Sequence, residues 1–347
     1  MSEIIIRTNG RGNAWPVFPG FRHHFYDHTN FYDLTNASYS ILRRNILTGA
    51  IENEILIDAG HGIVQFNLSN QNRMPDAIVI THPHIDHTLS LDWFAQANYR
   101  VKGTLLKVYA SKLCIRQVFT NFPQLEKLVE FEELLPGNPV QPKEFPGIEI
   151  VFFPVFHGES AHGSGMILIG FKSGNKQKKV LFTGDLLCPL LRNMDIEFLK
   201  ACQLIFVDSN NRFPYPKTNH WSISGFTRNA TEDYFSQWLN DKGRYISWLV
   251  TTSLTPEPNT ISGNYFDCFL EEQLAGRKLF FDVFSFVREL QPEQVNLIHY
   301  SGREDRLYNN SPGLNSHELK CWANSEAVKL KLNTKFHVPL VGEEFKP

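Results

Sequence analysis

Three histidines and an aspartate fall within six positions of the segment THPHIDH, at His82, His84, Asp86 and His87. Neutral imidazoles and ionised carboxylates are the donors that bind zinc and related cations. His82 and His84 are two residues apart, so on extended backbone both rings leave the same side. Asp86 and His87 follow across a turn and can approach from another direction. Four further runs end in a titratable residue: VFFPVFHG at His157, VLFTGD at Asp185, VNLIHYS at His299 and EILIDAG at Asp58. Singly, such residues are common in turns. Together they imply strands that feed one rim, with more ligands than one tetrahedral ion takes unless they divide between two.

The elements that must position these groups are short strands and outer helices. Strand-like runs lie at 3–7, 38–44, 54–60, 77–82, 105–111, 148–158, 165–172, 179–185, 204–209, 245–253, 278–286 and 295–301, most of them apolar or alternating. The nearly continuous apolar run AIVITH reads as a strand covered on both faces. After it, Leu89, Trp93 and Ala97 recur at four-residue steps, which predicts a helix capped by Asp86 with that stripe inward. Further helices are expected near 111–120, 195–202, 223–240, 264–275 and 316–331. The pattern is that of a mixed α/β chain with two sheets. It reads as one domain over 1–347, elaborated near 112–145 and 228–292.

The 347 residues carry 34 Lys+Arg against 36 Asp+Glu, a formal net charge of −2. That balance excludes a general nucleic-acid binder. The densest basic run, NKQKK at 175–179, reads as a solvated hairpin turn. No apolar run reaches the roughly 20 residues a spanning helix needs, and MSEIIIRTNG lacks the features of a secretory signal. The five cysteines, Cys114, Cys188, Cys202, Cys268 and Cys321, are scattered, so a reducing, cytoplasmic setting is expected.

HPHIDH resembles the HxHxDH signature of the metallo-β-lactamase superfamily, and the later motifs follow in order: Asp58 in LIDAG, His157 in FHG, Asp185 in TGD and His299 in NLIHYS. The resemblance implies a four-layer αβ/βα sandwich with a dinuclear centre between the sheets. It assigns His82, His84 and His157 to one metal, Asp86, His87 and His299 to the second, and Asp185 as a bridge. Asp58 becomes a support for the ligand loop. Two Zn2+ ions are implied, because the iron-binding branch replaces the second histidine by glutamate and His84 is kept here. Mn2+ or Fe stays open.

A metal pair lowers the pKa of water and stabilises the charge of a displacement reaction, but it does not name the ester. Two segments are similar to the RNase Z-like and cyclic-phosphate phosphodiesterases. NHWSIS offers His220, and NLIHYSGRED offers Ser301 and Arg303 beside His299. On that likeness Asp86 and His220 take part in the chemical step, and Ser301 and Arg303 hold an anionic oxygen. The short connection 158–179 leaves no room for a tRNA-gripping arm, so tRNA 3′ processing is a minor reading. The expected substrate is a small or short phosphodiester: a cyclic nucleotide, a cyclic phosphate or a short nucleotide. A lactonase or thioesterase on the same centre is the alternative, and a non-catalytic binding member a lesser one. No membrane and no extended nucleic-acid surface is expected, and a homodimer is allowed. His23, His24 and His28 read as surface or packing residues, while His61 and His162 lie beside motif loops.

Overall fold

The computed structural model describes residues 2–13, 20, 22–70, 72–158, 160–200, 202–214, 218–225, 261–276, 279–303, 305 and 312–347. The strands are β1 (Ser2–Gly10), β2 (Ser38–Asn45), β3 (Ile51–Ile57), β4 (Ala77–Val79), β5 (Leu106–Ala110), β6 (Val129–Glu133), β7 (Ile148–Phe156), β8 (Gly165–Ser173), β9 (Lys176–Phe182), β10 (Cys188–Pro189), β11 (Leu204–Asp208), β12 (Gln294–Ile298), β13 (Lys335–His337) and β14 (Glu344–Phe345). The helices are α1 (Ile63–Ser69), α2 (Ile85–Thr88), α3 (Leu91–Lys102), α4 (Lys112–Asn121), α5 (Asn193–Leu199), α6 (Ile261–Leu274), α7 (Val283–Leu290) and α8 (Ser316–Lys329). Two 3-10 turns lie at Phe31–Leu34 and Pro123–Lys127.

Two seven-stranded sheets form, in the orders β14-β1-β2-β3-β4-β5-β6 and β10-β7-β8-β9-β11-β12-β13. Along each order three antiparallel pairings are followed by three parallel ones. Strand alternation divides the apolar residues between layers. Ile55 and Ile57 of β3 meet Phe182 of β9 and Phe206 of β11 in the core between the sheets, where the Phe182 and Phe206 rings stack at 5.1 Å. Leu56 points the other way and packs under α3 and α4 with Leu91, Phe94, Ile115 and Val118. On the opposite outer face Ile205 and Val207 pack with residues of α5, α7 and α8. This is the four-layer αβ/βα arrangement.

Three expectations need correction. Asp86 does not cap a helix: the helical stretch after His82 breaks into α2 and α3, and the N-cap of α2 is His84, without a side-chain cap bond. The inward face is also different. Leu89 and Trp93 are exposed, while Leu91, Phe94, Ala95 and Asn98 are buried. Apolar residues at helical spacing occur on two faces here, and contact with the sheet decides between them.

The run at 278–286 is not a strand. Asp282 accepts hydrogen bonds from the Ser285 N–H at 2.8 Å and from its hydroxyl at 2.5 Å, which starts α7. Its Val283, Phe284, Phe286, Val287 and Leu290 are buried, as a core segment requires. The expected helix at 223–240 lies, beyond residue 225, outside the described residues, as do the strand at 245–253 and much of the elaboration at 228–292. The basic run is resolved into a tight hairpin, with Gly174 in the left-handed region between Ser173 and its partner Lys176. Among the described residues, no helix is long and apolar enough to cross a membrane.

The chain's distant segments are fastened together close to the strand ends. β14 pairs with β1 through Ile6–Phe345 and Arg7–Glu344. Arg11 is buried, bonds both Asp33 oxygens at 2.6 and 2.7 Å, and reaches the Ser316 hydroxyl at 2.9 Å. Its carbonyl accepts the His299 N–H at 2.8 Å.

The reversed face of α3 is checked by chemical denaturation. Phe94→Ala removes a buried ring and is expected to cost about 3–5 kcal/mol. Trp93→Ala, at a 66% exposed position, is expected to change stability by no more than about 0.5 kcal/mol. The opposite ranking would restore the expected stripe.

Candidate metal centre

Most titratable groups in the centre leave the C-terminal end of a strand or the turn that follows it, while His84 is the N-cap of α2 and Asp86 and His87 lie within it. Asp58 follows β3, Thr81 and His82 follow β4, and His157 follows β7. Asp185 follows β9, Asp208 ends β11, and His299 follows β12. Asp58 and His299 adopt left-handed backbone, φ 57° and 62°, uncommon for residues with a side chain. The turns are stitched to one another. The Ala59 N–H donates to the His87 carbonyl at 2.8 Å, and the Ser90 hydroxyl to the Gly60 carbonyl at 2.6 Å. A Cβ on Gly60 would lie 1.7 Å from the Asp86 carbonyl oxygen, so only glycine lets the two loops meet there.

One oxygen organises the middle. Asp185 Oδ2 lies 3.2 Å from His299 Nε2, 3.5 Å from His87 Nε2, 3.7 Å from His82 Nε2 and 3.9 Å from His157 Nε2. Asp86 Oδ2 lies 3.6 Å from His299 Nε2 and 3.7 Å from His87 Nε2. The donor atoms of His82, His84 and His157 converge within 4.8 Å, as do those of Asp86, His87, Asp185 and His299. Ligands bound at 2.0–2.1 Å around a tetrahedral ion are about 3.3 Å apart, which is near these separations.

The buried atoms His82 Nε2, His87 Nε2, His299 Nε2 and Asp185 Oδ1 make no hydrogen bond, although buried polar atoms are nearly always paired. The residues therefore fit two divalent cations. One would be held by His82, His84 and His157, the other by Asp86, His87 and His299, with Asp185 able to serve both.

Charge tells the same story. Burial pushes His157 down to about 3 and His82 well below the usual imidazole range, keeping them neutral as metal ligands must be. At His87 and His299 burial opposes protonation too, but Asp185 and the neighbouring carboxylates outweigh it and raise both. That half of the centre attracts positive charge.

The tautomers are fixed from behind. Asp58 accepts the Thr81 N–H at 2.8 Å and its hydroxyl at 2.7 Å, and lies 2.8 Å from His87 Nδ1, leaving His87 Nε2 for the centre. The Thr81 oxygen also faces His82 Nδ1 at 3.0 Å. His157 Nδ1 donates to the Asn219 carbonyl at 2.8 Å. Bonds of this kind orient ligating imidazoles.

His220 stands beside the cluster. Its ring stacks on His299 at 5.2 Å and meets His157 edge-on at 4.8 Å. Its Nδ1 lies 2.7 Å from Asp208 Oδ2. Burial disfavours the imidazolium, but Asp208 outweighs it and raises His220. Asp208 is fully buried, takes the Asn210 and Leu186 N–H groups on its carboxylate, and faces His299 Nδ1 at 3.6 Å. Trp221, also buried, donates to the Asp208 carbonyl at 2.6 Å.

Asp208 and Thr81 are absent from the sequence-derived site. Asp208 could have been found, because LIFVDS ends in a carboxylate just as VLFTGD does. Thr81 carried no signal apart from a strand.

A cavity of about 280 Å³ opens over the cluster, lined by Asn13, His84, Asp86, His157, Asp185, Asn210, Thr218, Asn219, His220 and His299. Ser301 and Arg303 are not brought to it. Ser301 is buried with its oxygen accepting the Arg303 N–H at 3.2 Å, and Arg303 is exposed. The Ser301 and Gly302 N–H groups are instead held by the Asn210 carbonyl at 2.9 and 3.1 Å. His23, His24, His28, His61 and His162 do not line the cavity either.

Residues 53–232, just over half of the chain, match the model of the beta-lactamase superfamily domain. The chain belongs to this superfamily, made up mostly of metal-dependent hydrolases. The search of curated proteins finds no match. Among solved structures, a diphosphatase from the PhnP family is similar over 99% of this chain and 98% of its own, with TM-score 0.59 and 15% identity. Zn(2+)-bound PqqB from Methylobacterium extorquens matches over 99% and 100%, with TM-score 0.56 and 11% identity. Unliganded yeast PDE1 matches over 100% of both chains, with TM-score 0.54 and 12% identity. These likenesses establish the shared fold.

Two variants test the support of the centre. Asp58→Ala frees the His87 ring and is expected to weaken metal binding about 10–100-fold, read by competition with a chromogenic chelator. Gly60→Ala forces the Asp86 loop away, and metal content by mass spectrometry is expected to fall below that of the unmodified protein. Unchanged binding in both would detach these loops from the centre.

Proposed function

We propose that the protein is a dinuclear metal-dependent phosphodiesterase acting on a small or short phosphodiester. The observation that carries this reading is the Asp208–His220 pair at the edge of the metal cluster, with His220 on the cavity wall. Two divalent cations held by His82, His84, His157, Asp86, His87, Asp185 and His299 would activate water and stabilise the charge gathering on phosphorus. The remaining chemistry belongs to the chain itself. Ester cleavage expels an alkoxide, which needs a proton as the bond to phosphorus breaks. Asp208 occupies His220 Nδ1 and favours the imidazolium, so Nε2 is left to deliver that proton. Asp208 also faces His299, which ties the proton donor to the metal ligand. Yeast PDE1 and a diphosphatase share the fold over nearly the whole chain, in keeping with phosphorus chemistry.

The test uses zinc- and manganese-loaded protein with bis(p-nitrophenyl) phosphate and an aryl lactone. Phosphodiester hydrolysis is expected, abolished by chelation. On a diester with an alkoxide leaving group, such as a cyclic nucleotide, His220→Ala should lower kcat by roughly 10²–10⁴-fold, the usual contribution of a general acid, with metal content retained. The effect on the p-nitrophenyl diester should be much smaller, because its phenolate leaves without a proton. Turnover of the lactone alone would overturn the proposal in favour of carbonyl chemistry.

A further inference from the structure

Four residues of the cavity wall lie outside the histidine and aspartate cluster, and all four are neutral hydrogen-bonding residues: Asn13, Asn210, Thr218 and Asn219. Small-molecule sites are more often walled by apolar and aromatic side chains, with a few polar groups. Among the described residues, this wall has no apolar side chain at all.

Asn219 stands apart from the other three. Its main-chain carbonyl is engaged by His157 Nδ1, so its backbone is locked to a metal ligand. Its carboxamide lies flat against Gly158, where an added Cβ would come within 2.3 Å of Nδ2. Gly158 has φ 83°, a conformation that favours glycine, so the seat for the amide is built into the backbone. Within that seat the carboxamide makes no hydrogen bond to any of the described residues. It offers a donor and an acceptor on a residue of the cavity wall, next in sequence to His220.

We propose that Asn219 determines specificity, by binding a hydroxyl group on the ester arm of a compact, hydroxyl-bearing phosphodiester. A carboxamide offers both a donor and an acceptor, which matches a hydroxyl and neither an alkyl nor an aryl arm. The cavity, at about 280 Å³, lies just below the range of roughly 300–1,000 Å³ common for ligand pockets, which suits an arm the size of a polyol or single sugar. A site built to bond a hydroxyl discriminates strongly against the analogue that lacks it.

This inference rests on the phosphodiesterase reading for its chemistry, and its test separates the two. The probes are p-nitrophenyl 4-hydroxybutyl phosphate and p-nitrophenyl butyl phosphate, which share a leaving group and differ in one hydroxyl, placed too far from phosphorus to displace the leaving group itself. In zinc-loaded protein kcat/KM is expected to favour the hydroxylated ester by about tenfold or more, the scale of one well-made hydrogen bond. Asn219→Leu, of similar size, should bring the ratio close to one with metal content unchanged. Asn219→Ala serves as the second variant should the leucine protein not fold. Calorimetric binding of 4-hydroxybutyl phosphate against butyl phosphate gives the same comparison without turnover. Equal handling of the two arms by the unmodified protein, or a preference that survives both substitutions, would overturn the role of Asn219. If neither diester is cleaved but the calorimetric preference holds and is lost in the variants, the phosphodiesterase reading falls and the hydroxyl site stands.

Discussion

Three carboxylates, Asp58, Asp185 and Asp208, are buried to 3% exposure or less where the two sheets meet, and the need to compensate their charge is the constraint around which the centre is arranged. An ionised carboxylate removed from water needs partners of opposite charge or several donors. Asp58 finds Thr81 and His87, and Asp208 finds His220 and two backbone N–H groups. Asp185 has imidazole edges at distances mostly too long for hydrogen bonds. The three thus differ in kind: two are satisfied by the protein and orient its histidines, and the third is satisfied best by cations. The division between supporting and ligating residues follows from that difference.

Much of the fold was legible because buried strands alternate their apolar residues between two packed faces. Ile55, Leu56 and Ile57 show the alternation plainly. The cluster was legible for a related reason: titratable residues at the ends of apolar runs have few structural uses. What could not be read was phase and partner. Spacing predicts a helix after His87 but not which of its two apolar faces meets a sheet, and it is Leu91 and Phe94 that do, not Leu89 and Trp93. In KLFFDVFSF the aromatic residues suit a strand or a helix equally, and one cap at Asp282 decides. Asp208 is obscured in the sequence because an aspartate followed by serine and asparagine also reads as an ordinary turn. Thr81 has no chemistry of its own; its role comes from lying opposite Asp58, a contact made across strands.

The pairing order of the sheets recurs, three antiparallel contacts and then three parallel ones, although no repeat stands out in the residues. Backbone pairing constrains direction and register, while side chains need only be apolar on the proper face. Each half therefore presents parallel strand ends to the same cleft. The first half contributes Asp58, His82 and the α2 loop, and the second contributes Asp185, Asp208 and His299.

The bond from the His299 N–H to the Arg11 carbonyl, and the pairing of β1 with β14, span nearly the whole length of the chain. Contacts between such remote segments require large loops to close, and topologies rich in them fold slowly. The cleft is complete only when these remote segments have come together, and a bound cation would reward only the completed topology. A cation held only by the native cleft would add its binding free energy to the stability of the whole fold, so the most remote contacts of the chain would be strengthened by a ligand that touches neither end.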